Sequence, residues 1–422
     1  MRLCFIADLN SVHSRKFIRY FPERGHDVLV LSTTRFTSDR FAGAHVVSLA
    51  SGASRSARPL PSGTRFSAPG IARGFARLLA DGADRLAQAA LVWNPALRLR
   101  AIRAAIERDL ARALDARLRV YESQRGQARD LIRAFRPDLL QCLRLPVEGF
   151  IGAAAEFRPT LHFCWGNDLT LYAHEHPAFG ELTRDTLSTC AALLTDCRRD
   201  ERLALAWGLR KGTPTLVVPG AGGIDTAAPE GAPERAVATE SISFLTLRGL
   251  GGRYVDNLPV VRALPFLRNA IGDGFLLRMV GALRPYAPLL LAEAHRVGGE
   301  RFLEFLDRIA HEQVPALIAR HRFVFSATYH DGTPNSMLET MWHGGVPICS
   351  DLESIREWIT EGDNGYLFDM RSPEGIAAVF ARAVREQELH DAFRRRNREL
   401  IRERADYRTC MARVMELYEG LG

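Results

Sequence analysis

The chain opens on "RLCFIADL", an apolar run closed by Asp8, followed by "NSVHSRKFIRYFPERG", where Phe17, Ile18 and Phe21 recur at helical spacing and Gly25 supplies a stop. "HDVLVLST" is then apolar without alternation, as a strand covered on both faces should be. Strand, helix and strand within forty residues predict a βαβ opening and hence a parallel sheet. The rhythm returns in "PDLLQCL", "PTLHFCW", "AALLTDC" and "PTLVVPG", with helices between. It breaks at "TAAPEGAPERAVATE", residues 226–240, which is rich in Ala, Pro, Glu and Gly without a period and predicts a linker. A second series comes next in "ISFLTL", "FLLRMV", "RFLEFL", "RFVFSA", "VPICS" and "GYLF", and the chain closes on helices from about residue 373. The pattern predicts an α/β protein with two doubly wound, Rossmann-like domains, 1–225 and 241–404, facing each other across a cleft. Ligands in such sheets bind at the carboxyl ends of strands, in loops that lead to helices.

One stretch departs from this alternation. Residues 51–70 are rich in Ser, Arg, Pro and Gly, and 71–135 carry Ala, Leu and Arg at helical spacing, so an Arg-rich helical insertion of about 51–135 is expected in the first domain. Residues 70–136 hold 14 Arg against seven Asp plus Glu, a surplus of +7 that equals the net charge of the whole chain. Such a surface attracts an anionic membrane or an anionic substrate, and it is equally what an Arg-rich genome leaves on a solvated helix face. At 422 residues the chain is too long for one ordinary core. Its seven scattered cysteines fit reduced core residues, and no CxxC pair suggests zinc. The opening apolar run is too short for a signal-peptide core, and no run reaches 18 apolar residues. A cytoplasmic protein is expected, with peripheral contact at the inner face of a membrane through 71–135 as the other use of its charge. No nucleic-acid partner is expected.

The densest chemistry lies in "TYHDGTPNSMLETMWHGGVPICSD", Thr328 to Asp351. "RFVFSA" predicts the strand before it, Pro334 can occupy a first helical turn, and Gly344 with Gly345 ends the helix. Asp331 then falls in the loop and Glu339 about a turn and a half into the helix. The N–H groups of a helix start suit phosphate or sugar oxygens, and carboxylates accept from sugar hydroxyls.

The segment "DGTPNSMLETMWHGGVPICSDLESIREWITEGDNGYLF" resembles the C-terminal signature of the retaining glycosyltransferases of family 4, which have the GT-B fold. The resemblance implies that Asp331, standing where the family usually has Glu, contacts the donor sugar. It implies that Glu339 binds the ribose, and that Gly332, Thr333, Pro334 and Asn335 form the loop approaching sugar and phosphate. "FLTLRGLGGRYVDNL" is similar to the family's cationic loop, with Arg248 and Arg253 at the spacing of the Arg and Lys that neutralise the diphosphate. Two such cations supply what glycosyl transfer without metal requires. "MVG", ending at Gly281, resembles the strand and turn that come next in the family. In the N-terminal half the first loop resembles the family's His-x-x-Arg loop, with His13 and Arg15 one residue closer together and facing the expected cleft, and "LHFCWGNDLTL" is similar to a segment giving Gly166, Asn167 and Asp168. "VVPGAGGID" matches the turn before the linker, and the last helix, 405–422, is expected to return to the N-terminal domain as in relatives.

What the resemblance implies is a metal-independent, retaining transfer of a sugar from a nucleoside-diphosphate donor to an acceptor hydroxyl on a lipid carrier, a polysaccharide or a secondary metabolite, with no cofactor. His13 and Asp168 are the candidates from the N-terminal domain, beside Asp331, Arg248 and Arg253. Two alternatives stand beside this reading: a GT-B sugar-nucleotide epimerase, and a non-catalytic partner that binds sugar nucleotides.

Overall fold

The computed structural model describes residues 1–50, 95–227, 242–249, 254–282 and 286–421. The linker predicted at 226–240 lies almost wholly outside the described residues, as do Arg253 and the first part of the insertion.

The first sheet has eight strands in the order β3-β4-β2-β1-β5-β6-β7-β8. They are β1 (Arg2–Ala7), β2 (Asp27–Ser32), β3 (Arg40–Phe41), β4 (Ala44–Ser48), β5 (Leu139–Leu143), β6 (Thr160–Cys164), β7 (Ala192–Thr195) and β8 (Thr215–Val217). All pair in parallel except β3, which runs antiparallel to β4. β1 lies at the centre, with Leu3 beside Val28 on one flank and beside Leu139 on the other. Its residues Leu3 to Ala7 are fully buried, which explains why "LCFIA" shows no polar alternation. The second sheet has the order β11-β10-β9-β12-β13-β14 and is parallel throughout. Its strands are β9 (Ile242–Thr246), β10 (Phe275–Val280), β11 (Leu303–Leu306), β12 (Phe323–Ser326), β13 (Val346–Ser350) and β14 (Tyr366–Phe368).

Strand order fixes where each domain opens. In the first sheet the chain leaves β1 for β2 on one side and returns to β5 on the other, so the loops after β1 and β5 diverge. In the second the reversal falls between β9 and β12. These are the switch points at which doubly wound sheets leave a crevice.

Six helices build or brace the cleft: α1 (Val12–Arg19), α2 (Pro95–Phe135), α3 (Arg198–Ala206), α4 (Asn335–Trp342), α5 (His390–Arg404) and α6 (Tyr407–Glu419). α2 is a single helix of 41 residues. Its Leu114, Tyr121, Ala128 and Ile132 are buried at spacings of seven, seven and four, a stripe that packs on Ile6, Leu31 and Phe150. α6 buries Tyr407, Met411, Val414 and Tyr418 in the core of the first sheet, where Tyr418 stacks on Phe21 at 5.3 Å between centroids. All seven cysteines are free and buried. Among the described residues no helix is long and apolar enough to cross a membrane.

Candidate active site

The loop after β12 is where the sequence concentrates acids and glycines, and the fold sets it at the switch point of the second sheet. Thr328 N donates to Ser350 Oγ (2.9 Å) and Tyr329 N to Tyr254 O (2.8 Å), which ties the loop to β13 and to the segment after β9. Asp331 comes next, buried, with Oδ1 accepting from Gly332 N at 3.0 Å and Oδ2 accepting from Arg248 Nη1. Arg248 leaves the end of β9. Its guanidinium lies over the Tyr254 ring at 5.6 Å, and Asn257 Nδ2 holds its carbonyl at 3.0 Å. The two groups assigned to sugar and diphosphate therefore form one ion pair across the switch point.

Pro334 is not in the first turn of the helix, as its sequence context suggests, but immediately before it. Its ψ of 126° is extended, and its carbonyl accepts from Met337 N (3.0 Å) and Leu338 N (3.1 Å), so it acts as the cap and α4 begins at Asn335. Glu339 is the fifth residue of α4. Its Oε1 lies 3.6 Å from His311 Nε2, and burial raises its pKa against the opposing charges of His311 and Lys16. Gly281 closes β10 at φ 68°, a left-handed conformation that favours glycine, and its N–H donates to Leu306 O at 2.9 Å beside the Arg248 loop.

His13 also differs from expectation. It belongs to the first turn of α1 rather than to a loop, because Ser11 caps the helix by accepting from Ser14 N at 3.4 Å. The helix start nevertheless turns it into the cleft. Lys16 Nζ donates to Asn335 Oδ1 (3.2 Å), which orients that amide so that Asn335 Nδ2 donates to His13 Nδ1 at 3.1 Å. A ring nitrogen that accepts is unprotonated, and burial together with Lys16, Arg248, His311 and Arg144 brings the His13 pKa down to about 4. His13 is thus a neutral imidazole between the two domains.

Asp168 is buried and its oxygens are occupied. Oδ1 accepts from Arg144 Nη2 (2.6 Å) and Nε (3.2 Å), and Oδ2 from Leu145 N (3.1 Å) and Trp165 N (3.0 Å). Its chemistry is to hold Arg144 and two loops in place.

Several groups that the sequence does not single out support the Asp331 loop from the opposite domain. Asp196, after β7, accepts from Gly220 N (3.0 Å) and from Thr333 N (3.2 Å), and its carbonyl accepts from Thr333 Oγ1 (2.6 Å). Burial, with the charges of Asp200 and Asp331, pushes the Asp196 pKa up to about 8. Arg199, in the first turn of α3, donates to Asp331 O (2.6 Å), Ser354 Oγ (3.2 Å), Gly166 O (2.8 Å) and Asp200 Oδ1 (2.7 and 2.9 Å). Lys16 Nζ also donates to Gly220 O (2.9 Å) and Gly223 O (2.6 Å), and burial pulls its pKa down to about 8. Lysine is rare here, since the chain holds only Lys16 and Lys211, and that rarity is the one signal the sequence offers for it. Among the described residues, no group of three His, Cys, Asp or Glu side chains is arranged to hold a metal ion.

Two parallel-sheet domains whose switch points meet over a shared polar cleft define the GT-B class of fold. The comparisons with known proteins agree. The model of the family described as glycosyl transferases group 1 matches residues 259–400, which include Asp331 and Glu339. No curated protein sequence matches the chain. Among solved structures, sucrose-phosphate synthase from Thermosynechococcus elongatus is similar at a TM-score of 0.69 and 14% identity, covering 100% of this chain and 99% of that one. HepE from Anabaena, solved in complex with UDP and glucose, matches at a TM-score of 0.65 and 14% identity over 100% of both chains. A glycosyltransferase from Rickettsia africae matches at 0.65 and 10% identity, covering 100% of this chain and 98% of that one. The chain has the GT-B fold.

Proposed function

We propose that the protein is a retaining, metal-independent glycosyltransferase that moves a sugar from a nucleoside diphosphate to an acceptor hydroxyl. The observation that carries this reading is the Asp331–Arg248 ion pair at the start of the helix that bears Glu339. One ligand can run along that helix start, with its ribose at Glu339, its diphosphate at Arg248 and the first N–H groups of α4, and its sugar at Asp331. Arg248, with Arg253 five residues on in the sequence, stabilises the leaving diphosphate, which accepts the electron pair of the breaking C1–O bond. The acceptor oxygen bonds to C1 on the same face, and its proton passes to the departing phosphate oxygen. No side chain is assigned as a covalent nucleophile. Asp331 is already paired, so it serves to position the sugar and to tune Arg248 rather than to attack. The anomeric outcome, the absence of a metal requirement and the domain limits 1–225, 226–240, 241–404 and 405–422 are parts of the same proposal.

The complexes of HepE with UDP and with UDP-glucose make uridine the first base to try. The test is a thermal-shift panel of UDP-, GDP-, ADP- and TDP-sugars, because a ligand at 100 times its Kd stabilises by ~2.7 kcal/mol. One class should raise the Tm, and Glu339→Ala should weaken that nucleotide by about tenfold to a hundredfold, the value of hydrogen bonds to a charged acceptor. Turnover should persist in EDTA and give product of the donor's anomeric configuration. A folded Glu339→Ala variant that binds the free diphosphate normally removes the ribose assignment, and a panel without any shift removes the reading itself.

A further inference from the structure

The N-terminal face of the cleft carries a cation that the donor-side groups do not use. Arg144 is the residue after β5, at the switch point of the first sheet. Its φ is 115°, and Val147 three residues on has a φ of 71°. Side-chain-bearing residues persist in such conformations where the surroundings over-determine them, and they gather at functional sites. Here the surroundings are Asp168, which grips the Nε and Nη2 edge, and two rings, Trp165 and Tyr172, with centroids 5.3 and 5.2 Å from the guanidinium carbon. Nη1 has no partner among the described residues, and a quarter of the side chain (25%) is exposed.

A second guanidinium approaches the same tyrosine. Arg117 of α2 lies over the Tyr172 ring at 4.4 Å and its Nη2 donates to Tyr172 Oη at 3.4 Å. No carboxylate among the described residues pairs with it. The aromatic faces fix both guanidinium planes, so little side-chain freedom remains to be lost on binding. Trp165 carries the column onward, edge-on to His13 at 5.9 Å between centroids, and His13 reaches the donor loop through Asn335. The positive potential of this region also shows in His13, which Arg144 helps to hold below its ordinary range.

We propose that Arg144 and Arg117, on Tyr172, form the binding site for an anionic group, a carboxylate or a phosphate, carried by the acceptor. The inference rests on the glycosyltransferase reading and names the acceptor class within it. Guanidinium N–H groups match the oxygens of both groups, and a neutral sugar would leave the charge of Arg117 without a counter-ion, since Asp168 neutralises only Arg144. Part of the basic surplus of 70–136 thereby has a use at the cleft rather than on a solvated face.

The test is isothermal titration of the full chain with glucose, glucuronate and glucose 6-phosphate, in the presence of whichever nucleotide the thermal-shift panel selects. At least one anionic sugar should bind about tenfold more tightly than glucose, as expected of charge-assisted bonds. The two anionic arms tell carboxylate from phosphate. Arg117→Met should abolish that preference, and Arg144→Lys, which keeps the charge beside Asp168 but loses the fork, should reduce it. Both should keep the nucleotide's thermal shift, which certifies folding. Neither anion binding better than glucose overturns the proposal, as does an undiminished preference in Arg117→Met. A wild-type chain that prefers the anions while no nucleotide shifts its Tm would instead remove the glycosyltransferase reading and leave the anion site standing.

Discussion

Glu148 shows how one side chain registers its surroundings. It lies in the turn after β5, 6% exposed, and its Oε1 accepts from Thr33 Oγ1 at 2.7 Å. Burial pushes its pKa up to about 7, against the Thr33 bond and the charge of Arg144, while Asp8 adds to the rise. The unfolded chain titrates this group near the ordinary glutamate value, about 4.5. Between those values the folded state holds a proton that the unfolded state has released, so stability falls as pH rises from about 4.5 to about 7 and levels off above. The full span is worth at most about 3 kcal/mol. Glu148→Gln, which imitates the protonated acid, should remove this component. Urea unfolding of both proteins at pH 5, 6, 7 and 8 should show the variant gaining on the wild type with pH. A constant difference would place the titration elsewhere. Nothing in "RLPVEGF" marks Glu148 as special, because its shift comes from burial in the folded chain, with a smaller rise from Asp8, which lies more than a hundred residues away in sequence. Asp168 is visible as an acid in a short motif, and its partner Arg144 is lost among the chain's many arginines.

At the level of elements, legibility follows burial. Twelve strands are readable as apolar runs because a parallel sheet covered on both faces demands them. β4 escapes such a reading: "AHVVS" buries Ala44 and Val46 but exposes His45, and it lies toward the edge of its sheet, where the hydrophobic demand is weaker. The α1 boundary escapes it because a Ser cap one turn early looks like loop. The contact of "WGND" with "DGTP" shows what motifs alone leave out. A Cβ on Gly166 would come within 1.8 Å of Gly332 N and 2.2 Å of its Cα, so the two glycines let the loops of opposite domains touch. Backbone cannot give way as a flexible side chain can. Gly166→Ala should push the loops apart by over an ångström and leave both cores intact. Misplacing a reacting group by ~1 Å can cost ~100-fold in rate. The expectation is a kcat reduced on that order, with nucleotide affinity within a few-fold of wild type because Glu339 is not moved. A variant with wild-type kcat would show that the loops need not touch for catalysis.

For the whole molecule, the two domains bury separate hydrophobic cores, and polar groups make up much of what joins them across the cleft. Glu357 accepts from Arg198 N and Arg199 N at 3.1 Å, capping α3 from the opposite domain, and Lys16, Asp196 and Arg199 clasp the segment from Asp331 to Asn335. These contacts join residues 132, 137 and 319 positions apart, a pairing that no local pattern encodes. Interfaces of this polarity allow relative domain motion unless specific bonds resist it. Arg199 is the strongest such bond, since its five N–H groups all find acceptors: two carbonyls, one hydroxyl and Asp200. Removing it takes a donor from both the Asp331 carbonyl across the cleft, which Ser354 Oγ alone then holds at 2.7 Å, and the Gly166 carbonyl, and it leaves the buried Asp200 without its cation. Breaking a buried pair in that way costs ~3–5 kcal/mol. Arg199→Met should therefore lower the Tm, raise the radius of gyration in solution scattering, and increase donor hydrolysis relative to transfer as water enters the cleft. Arg199→Lys, which keeps the charge but cannot reach all the acceptors, should fall between. Folding alone would move the Tm; the scattering curve and the hydrolysis-to-transfer ratio report on the clasp. If both stay at wild-type values in a folded Arg199→Met protein, the domains are held together by other contacts and Arg199 serves only its own helix.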